Sequence, residues 1–287
     1  MSLNLSIEPN ELWLSYKTPA VRQLAFAILS PNIIQSIPSE LQIFHPFHLH
    51  TDQHWTHYYQ QYIPRLQYLD AHPEDLYHFL NTLKSTRLGL RFEMLIWFWL
   101  LDHTYHPYQV LKHSLQIIDG ARTMGELDFL LKNTKTNKIE HWEVALKYYL
   151  GEKNLSLPYW YGLNRTDTLF KKMHHFTYKQ FQFSHVSIEN THEYQIDAKF
   201  AVMKGQLFLP QHYSNLDIPQ WINPQRRLGL WNRNFPSHHT QYYRLERHEW
   251  LCPNEKQSNQ FNPWWTNGLY LEPLKNIYYM YAQPTLI

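Results

Sequence analysis

The order of periodic segments along this chain of 287 residues predicts an α/β fold. The first observation is an apolar stretch over residues 88–101, LGLRFEMLIWFWLL, which is long enough for a buried helix. The second is a change to the two-residue period of strands in three later segments, residues 110–118, 126–131 and 139–150. Helical spacing returns over residues 169–181, and strand-like segments follow within 194–209. The predicted core is therefore a helix, three strands, a second helix and one or more further strands.

The second and third predicted strands form a hairpin that carries three ionisable side chains on one face. Their connection, residues 132–138, is the polar turn KNTKTNK. Alternation over 139–150 puts Glu143 and Lys147 on one side, and Asp128 belongs to the polar side of the preceding strand. We therefore expect these three side chains to meet. The alternative is a half-exposed sheet face that is polar because water wets it.

The segments on either side of this core differ from it in character. Residues 1–85 have helical apolar spacing with proline breaks, which predicts an N-terminal helical segment. Residues 211–287 are rich in Trp, Tyr and Pro without a clear period, which predicts an irregular, aromatic and basic C-terminal extension. The core then spans residues 86–210, and Lys204-Gly205 within it is expected to be the turn of a second hairpin.

Composition excludes several classes of protein. Hydrophobic residues make up 44% and charged residues 17% of the chain, which is typical of a globular protein rather than a disordered one. Neither GxGxxG nor GxxxxGK(S/T) occurs, so the Rossmann and P-loop classes are excluded. The single cysteine, Cys252, cannot form an internal disulfide. The most apolar run, residues 94–101, is too short to span a bilayer, so we expect a cytoplasmic protein without a membrane partner.

Four ionisable residues form the candidate catalytic constellation of the predicted core: Glu93, Asp128, Glu143 and Lys147. Glu93 is the one acid of the apolar helix, and an acid buried there needs a polar or charged partner. Hard cations such as Mg²⁺ bind one or two carboxylates together with water and substrate phosphate. A nearby lysine can orient an attacking water or stabilise developing charge. Such a group suits the hydrolysis of phosphodiester bonds.

Several strings of the chain resemble one known family. They are TRLGLRFEMLIWFWLL, GELDFLL and HWEVALKYYLG, followed by GLNRTDTLFKKM and YYRLERHEWLCP. The family is an uncharacterised bacterial domain-of-unknown-function family that is placed in the PD-(D/E)XK nuclease-like superfamily. The resemblance implies a restriction-endonuclease-like core with a mixed sheet, in the order helix, three strands, helix, strand. It also implies Glu93 as the helix acid, Asp128 as the aspartate of the second strand, and Glu143 with Lys147 on the third.

The third strand departs from the superfamily pattern. That pattern places the acid and the lysine two residues apart, whereas Glu143 and Lys147 are four apart. Ala145 occupies the acid position counted from Lys147. At about 3.3 Å per residue, roughly 13 Å of backbone separates the two side chains, although both point to the same face. A migrated carboxylate or a bulge would restore the geometry.

Charge and ligand chemistry predict a metal ion and a nucleic-acid partner. The expected ligands of Mg²⁺ or Mn²⁺ are Asp128 and Glu143, with Glu93 acting directly or through water. The expected nucleic-acid contacts are five arginines within residues 221–247, a segment with one acid, Glu246: Arg226, Arg227, Arg233, Arg244 and Arg247. Aromatic residues interleave with these arginines, which suits single-stranded or distorted nucleic acid. The alternative is a solvated basic face over an aromatic core.

Two further patterns are weaker candidates. Asp197 and Lys199 fit an acid-x-lysine motif, but the segment follows the second helix, so we interpret it as an ordinary exposed strand. Five histidines cluster in the N-terminal segment: His45, His48, His50, His54 and His57. His50 and His54, four residues apart, could bind zinc with His57 from one helix face. Because histidines occur along the whole chain, we interpret this cluster as a consequence of composition.

The sequence thus predicts a metal-dependent nuclease that hydrolyses phosphodiester bonds in DNA or RNA. In this hypothesis Asp128 and Glu143 hold the metal, and Lys147 positions the attacking water or stabilises the developing charge. The alternative hypothesis is a catalytically inactive nucleic-acid-binding or protein-interaction module that retains the nuclease-like fold. The distance between the Asp128 and Glu143 carboxylates separates the two, because a shared metal requires them within about 4 to 5 Å of each other.

Overall fold

The structure is a computed structural model that describes residues 11–120, 122–188, 192–212, 217–236, 238–253 and 265–283. Within these residues the helices are α1 (Pro19–Leu29), α2 (Asp52–Ala71), α3 (Glu74–Asn81), α4 (Leu88–Leu101) and α5 (Leu169–Tyr178). The strands described there are β1 (Tyr108–Asp119), β2 (Arg122–Asn133), β3 (Lys138–Gly151), β4 (Trp160–Tyr161), β5 (His185–Ile188), β6 (His192–Gln195), β7 (Ala198–Pro210), β8 (Gly229–Asn232), β9 (Tyr243–Arg244), β10 (Gly268–Glu272) and β11 (Ile277–Tyr281). The protein is therefore a mixed α/β structure, as predicted.

Nine of the described strands form one mixed sheet in the order β1-β2-β3-β7-β8-β11-β10-β9, with β4 paired to the end of β3. β1, β2 and β3 are antiparallel neighbours, whereas β7 lies parallel to β3. β8 and β11 continue the parallel part, and β10 and β9 close the sheet in antiparallel pairs. β5 and β6 form a separate hairpin. Apart from the short β4, β5 and β6, the order from α4 to β7 is a helix, three antiparallel strands, a helix and a parallel strand.

Helix α4 has the bounds that the apolar stretch predicts, residues 88 and 101. A helix that is apolar on nearly every side is typical of burial between layers. Here α4 lies between the sheet and the helices α1 and α3. Its fully buried side chains Phe92, Leu95 and Trp99 share one apolar cluster with Trp142 of β3.

Strand β3 is buried on both faces, because helices cover the sheet from both sides. Trp142, Val144 and Leu146 pack in the cluster of α4, while Ala145 and Tyr149 pack in the cluster of α5. The face that alternation alone would leave open to water is therefore covered by α5. Any polar side chain on that face, Glu143 included, needs partners from the protein.

Helix α5 is amphipathic and presents its apolar side to the sheet. Leu169, Met173 and Phe176, spaced by four and three residues, are fully buried in the cluster of Ala145. Thr168 caps the helix by accepting a hydrogen bond from the Lys171 amide at 3.1 Å. The helix therefore fixes the side chains that point from it towards β3.

The turn expected at Lys204-Gly205 is wrong, because the structure has a continuous strand there. The chain continues through this dipeptide as the single strand β7, parallel to β3, and the neighbouring hairpin is formed by β5 and β6 instead. Gly205 has φ +125°, and a Cβ there would lie 1.8 Å from the Lys147 carbonyl oxygen. Glycine is thus required by close strand approach rather than by a turn.

The C-terminal segment is not an irregular extension, which is a second correction. Residues after 210 contribute β8, β9, β10 and β11 to the main sheet. One apolar cluster contains Leu24, Trp99 and Trp250, one from each of the three predicted segments. The boundaries at 85/86 and 210/211 stay predictions. Within the part of the chain described, a helix both long and apolar enough for a bilayer does not occur.

Candidate active site

The candidate site lies where β2 and β3 separate. Their ladder runs from the pair Asn133 and Lys138 to the pair Phe129 and Trp142. Asp128 and Glu143 are the next residues on each strand. Beyond them, β2 continues alongside β1, and β3 continues alongside β7. We call this place the strand fork, and we call Asp128 with Glu143 the carboxylate pair.

The two acids of the pair are close neighbours. The Asp128 amide donates to Glu143 Oε1 at 3.4 Å, and the Glu143 charge acts on the Asp128 carboxylate. Asp128 Oδ2 also accepts the Val144 amide at 2.8 Å, which fixes its orientation. The sequence analysis expected these two residues to meet, and the structure brings them together.

Burial raises the pKa of both acids. Burial raises the pKa of Asp128 well above its ordinary value, and the Glu143 charge raises it further. Burial also raises the pKa of Glu143 to about 8, although the Lys172 ammonium opposes this shift. Two acids this close together cannot both ionise without help, so the pair needs a shared proton or a cation.

Glu143 is fully buried and is held by two side chains. His141 Nε2 and Glu143 Oε1 are hydrogen-bonded at 2.7 Å. Burial lowers the pKa of His141 to about 3, so its imidazole is neutral near pH 7. Gln180 Nε2 donates to the other oxygen, Glu143 Oε2. These contacts orient the carboxylate in the way that supporting residues orient metal ligands.

Lys172 of α5 is a cation of this site that the sequence analysis missed. Its Nζ donates to Gln180 Oε1 at 3.0 Å and lies 4.0 Å from the centre of the Phe176 ring. Burial lowers the pKa of Lys172, whereas the charges of Glu143 and Asp128 raise it. One feature of the sequence could have pointed to Lys172. It lies four residues before Phe176, on the side of the predicted helix that faces the core.

Lys172 offers an explanation for the alanine at position 145. Counted from Glu143, Ala145 stands where the superfamily pattern has its lysine. Helix α5 packs on the same face of β3 as Ala145, and Met173 and Phe176 share its apolar cluster. Helix α5 thus brings the Lys172 ammonium group to the face of β3 on which position 145 carries no lysine.

Lys147 is directed away from the carboxylate pair by a salt bridge. Its Nζ donates to Asp167 Oδ2 at 2.8 Å. The Tyr149 hydroxyl holds the other oxygen, Asp167 Oδ1, at 3.3 Å. The expectation that Lys147 joins Asp128 and Glu143 is therefore not met by direct contact, because four residues of strand separate it from Glu143. Lys147 interacts with Lys172 electrostatically.

Glu93 reaches the site from the opposite face of the sheet. It belongs to α4, and its Oε1 is hydrogen-bonded to His113 Nε2 at 2.7 Å and to Ser114 Oγ at 3.4 Å. Its charge nevertheless contributes to the raised pKa of Asp128. The fork brings this helix acid into electrostatic range of the pair, without a direct bond to either carboxylate in the described contacts.

Two of the five expected nucleic-acid arginines are engaged inside the protein. Arg226 donates to the Gly205 carbonyl oxygen at 2.7 Å and lies 3.3 Å from Glu11 Oε1. Arg227 donates to Glu11 Oε2 at 2.5 Å and to the Asn276 carbonyl oxygen at 2.7 Å. Both side chains are buried, so a phosphate cannot reach them without displacing these partners.

The other three arginines are more accessible. Arg233 donates to the Gln283 carbonyl oxygen at 3.4 Å and Arg244 to that of Asn267 at 3.5 Å. Arg247 stacks on Trp250 at 3.9 Å and is exposed. Of these three arginines, Arg247 lines a cleft of about 480 Å³ together with Lys147.

The weaker candidates have structural partners. Asp197 Oδ2 accepts the Ile139 amide at 2.8 Å, and Lys199 Nζ donates to the Phe181 carbonyl oxygen at 2.6 Å. His50 and His54 stack with ring centres 3.9 Å apart. In the described ranges, no three side chains of the His, Cys, Asp or Glu types are placed to hold one metal ion. A zinc site with His57 therefore has no structural support.

Sequence comparison places the chain in a family. Residues 22–276 match the family described as Domain of unknown function (DUF1853), so the chain belongs to that family. Comparisons with curated proteins and with solved structures found no match.

Proposed function

We propose that this protein is a metal-dependent nuclease that hydrolyses phosphodiester bonds in DNA or RNA. The observation that carries the proposal is the carboxylate pair at the strand fork, in electrostatic contact with Lys172. Two oxygen ligands beside one ammonium group suit a reaction in which a phosphate gains negative charge.

The chemistry of the pair fits Mg²⁺ or Mn²⁺ better than zinc. Mg²⁺ is typically bound by one or two carboxylates, with water and substrate phosphates as further ligands. Asp128 and Glu143 supply two carboxylates whose mutual repulsion a divalent cation would relieve. Zinc usually requires three or four protein ligands including histidine or cysteine, and such a set is not found among the described residues.

The topology supports the same proposal. The order of helix, three antiparallel strands, helix and parallel strand from α4 to β7 is the order that the superfamily resemblance implies. We therefore extend the proposal to a restriction-endonuclease-like core, with Glu93 from the first helix, Asp128 from the second strand and Glu143 from the third. This assignment rests on element order and site position.

Each residue of the site takes a distinct role in the proposal. Asp128 and Glu143 would hold the metal, which supplies Lewis-acid activation of a phosphate oxygen and of bound water. Lys172 holds an ammonium group beside the pair, where it orients the attacking water or stabilises the developing charge. Gln180 positions both Lys172 and Glu143. Glu93 acts through its charge on Asp128.

A second candidate is a nucleic-acid-binding or protein-interaction module without cleavage. The complete burial of Glu143 favours it, because a hydrated ion needs access to the carboxylate oxygens. His141 and Gln180 already occupy both of these oxygens. In this case the pair would remain protonated and structural.

A cleavage assay with matched variants tests the proposal. Wild type, Asp128→Asn and Asp197→Asn are incubated with single-stranded, double-stranded and branched DNA and RNA, in Mg²⁺, Mn²⁺ or EDTA. We expect metal-dependent cutting by wild type and Asp197→Asn, and a loss of about 100-fold or more in Asp128→Asn. Asp197 is the control because it is an aspartate immediately before β7 whose side chain bonds only to backbone in the described contacts.

Two results would contradict the proposal. Equal rates for Asp128→Asn and wild type would remove the carboxylate pair from the chemistry. Binding without cutting under every metal condition would favour the inactive module.

A further inference from the structure

A cleft opens on the edge of β3 just beyond the strand fork. Its volume is about 480 Å³. Leu146 to Tyr148 of β3 form its floor, the start of α4 forms one wall, and the turn that contains Asp167 forms another. Arg247 and Trp250 close the remaining side. We call it the edge cleft.

Two arginines face this cleft without an acidic partner among the described residues. Arg87, at the start of α4, and Arg247 form no ion pair there. Lys147 and Asp167 also line the cleft, but they neutralise each other in a salt bridge of 2.8 Å. The two arginines therefore leave the cleft with an excess positive charge, which favours an anionic ligand.

Arg247 is held ready for such a ligand. Its guanidinium group stacks on the Trp250 ring at 3.9 Å, and Trp250 is in turn fixed by the Tyr148 hydroxyl, which donates to its carbonyl oxygen at 2.7 Å. Although the residue as a whole is exposed, the protein covers part of the Arg247 side chain and thereby lowers its pKa. A bound phosphate would restore the lost interactions of the guanidinium with an anion.

The first turn of α4 adds to the positive electrostatic potential of the cleft. Arg87 is the N-cap residue and makes no side-chain capping hydrogen bond. The first residues of this 14-residue helix, Arg87 to Gly89, line the cleft, and the first amide groups of a helix have no partner within it. Such a helix end favours an anion, and it reinforces the two arginines.

The edge cleft and the carboxylate pair lie along the same strand. Lys147, which lines the cleft, is four residues after Glu143 on β3, which corresponds to about 13 Å of backbone. The charges of Lys147 and Asp167 in the cleft act on Lys172, and Lys172 interacts with both acids of the pair. A nucleic-acid strand that follows β3 from the carboxylate pair would reach the cleft.

We infer that the edge cleft binds a phosphate of one unpaired nucleic-acid strand, held between Arg87 and Arg247, along β3 from the carboxylate pair. This inference rests on the proposed function and names its substrate class. The cleft has the volume of a small-molecule site, of about 300 to 1,000 Å³. A duplex, whose major groove alone is about 12 Å wide, cannot enter it, so the strand must be single there.

Binding in EDTA tests the inference separately from cleavage. Fluorescence anisotropy is measured with fluorescein-labelled oligo(dT), and with a labelled duplex of equal length, for wild type, Arg87→Gln, Arg247→Gln and Arg165→Gln. Arg165 is the matched control, because Glu152 already neutralises it through two hydrogen bonds of 2.6 and 2.9 Å. Thermal melting checks that each variant folds, and exposed Arg87 serves alone if the Arg247 variant does not.

We expect Arg87→Gln and Arg247→Gln each to weaken oligo(dT) binding by about tenfold. The slope of log affinity against log salt should become shallower by about 0.7 for each variant. Arg165→Gln should match wild type, and the duplex should bind more weakly than the single strand. Unchanged affinity in both arginine variants, equal duplex binding, or no binding by wild type would overturn the inference.

The same proteins separate this inference from the proposed function. Asp197→Asn should bind oligo(dT) as wild type does, because Asp197 lies outside both the carboxylate pair and the edge cleft. If binding depends on Arg87 and Arg247 but wild type never cuts with Mg²⁺ or Mn²⁺, the nuclease proposal fails and the cleft stands. If wild type cuts and the arginine variants bind and cut normally, the cleft assignment fails alone.

Discussion

Each face of the central sheet carries a buried polar cluster, and the two clusters differ in how their ionisable groups tolerate burial. On the α5 face, the carboxylate pair is bonded to His141 and Gln180 and lies in the field of Lys172. On the α4 face, His50 and His54 stack against aromatic rings. One cluster concentrates ionisable oxygen atoms, and the other consists of neutral rings.

The histidine stack tolerates burial by losing its charge. Burial lowers the pKa of His50 well below its ordinary value and that of His54 to about 4. His50 also stacks on Phe200 with ring centres 4.1 Å apart. The Nε2 atoms of both histidines are buried and have no hydrogen-bond partner among the described residues. Neutral imidazoles can remain in such a place, but they offer no charge for chemistry.

Burial is less favourable for the carboxylate pair than for the histidine stack. Neutrality requires two acids to keep protons at a pH where exposed acids have lost them. A divalent cation bound to both carboxylates would remove this requirement. We therefore place the metal and Lys172 on the α5 face, while Glu93 acts on the pair by its charge from the α4 face.

The largest expected effect separates the lysines of the α5 face. Lys172→Met should reduce metal-dependent cleavage by about 100-fold or more, because its ammonium group interacts with both acids. Lys147→Met should cost much less, since its charge is already neutralised by Asp167. Lys171→Met is the control, because the exposed Lys171 on the same helix bonds to the Thr166 carbonyl oxygen. Single-turnover rates measure all three.

A larger loss in Lys147→Met than in Lys172→Met would return the catalytic role to the strand lysine. It would also show that the salt bridge with Asp167 opens when substrate binds. The edge cleft would then gain a third phosphate contact.

The sequence predicted the local elements of this site well. Helix α4 has the predicted bounds, and each strand of the hairpin overlaps its predicted segment, because periods of 3.6 and 2 residues are local properties. The meeting of Asp128 and Glu143 followed from strand pairing between neighbours in sequence. These features need no knowledge of distant contacts.

The rest depended on contacts between distant parts of the chain. Lys172 reaches the site only because α5 packs across β3, and no spacing within the sequence encodes that crossing. The C-terminal strands of two to five residues are too short for a visible period. Gly205 was interpreted as a turn because its role, close approach to Lys147, becomes visible only when β7 is placed.

The pH dependence of stability sharpens the comparison between the two faces. Between the ordinary carboxyl pKa of 4.5 and about 8, the unfolded chain releases a proton that native Glu143 keeps. Stability contributed by this raised pKa is present at low pH and is lost as pH rises through that window. In metal-free buffer, the free energy of unfolding should therefore fall by up to about 2 kcal/mol between about pH 6.5 and 8.

Urea unfolding of Glu143→Gln checks this trend. The glutamine has no proton to lose, so the decline above about pH 6.5 should become much smaller. On the acid side, buried neutral histidines act in the opposite sense: their lowered pKa values make stability fall as pH drops below 6.5. An alkaline decline of the same size in both proteins would show that Glu143 is ionised in the native state.

Metal binding should stabilise the α5 face alone. At a metal concentration ten times its dissociation constant, wild type should gain about 1.4 kcal/mol, because the ion binds the folded chain only. Asp128→Asn should gain little under the same conditions. Asp197→Asn should gain as much as wild type, since Asp197 bonds to the Ile139 amide and lies outside the pair. Melting curves in EDTA, Mg²⁺ and Ca²⁺ provide the measurement. Equal shifts in all three proteins would indicate a general salt effect.

The smallest expected effect concerns the histidine stack. His50→Phe replaces a buried imidazole, whose Nε2 has no partner in the described structure, by an aromatic ring. Removing an unsatisfied polar atom while keeping ring stacking should change stability by about 1 kcal/mol or less, in either direction. Metal binding and cleavage should be unchanged, because His50 lies on the face opposite the carboxylate pair. The acid decline in stability should also become weaker, since one group with a lowered pKa is gone. A loss of cleavage in a folded His50→Phe protein would instead place the histidines in the chemistry rather than in packing alone.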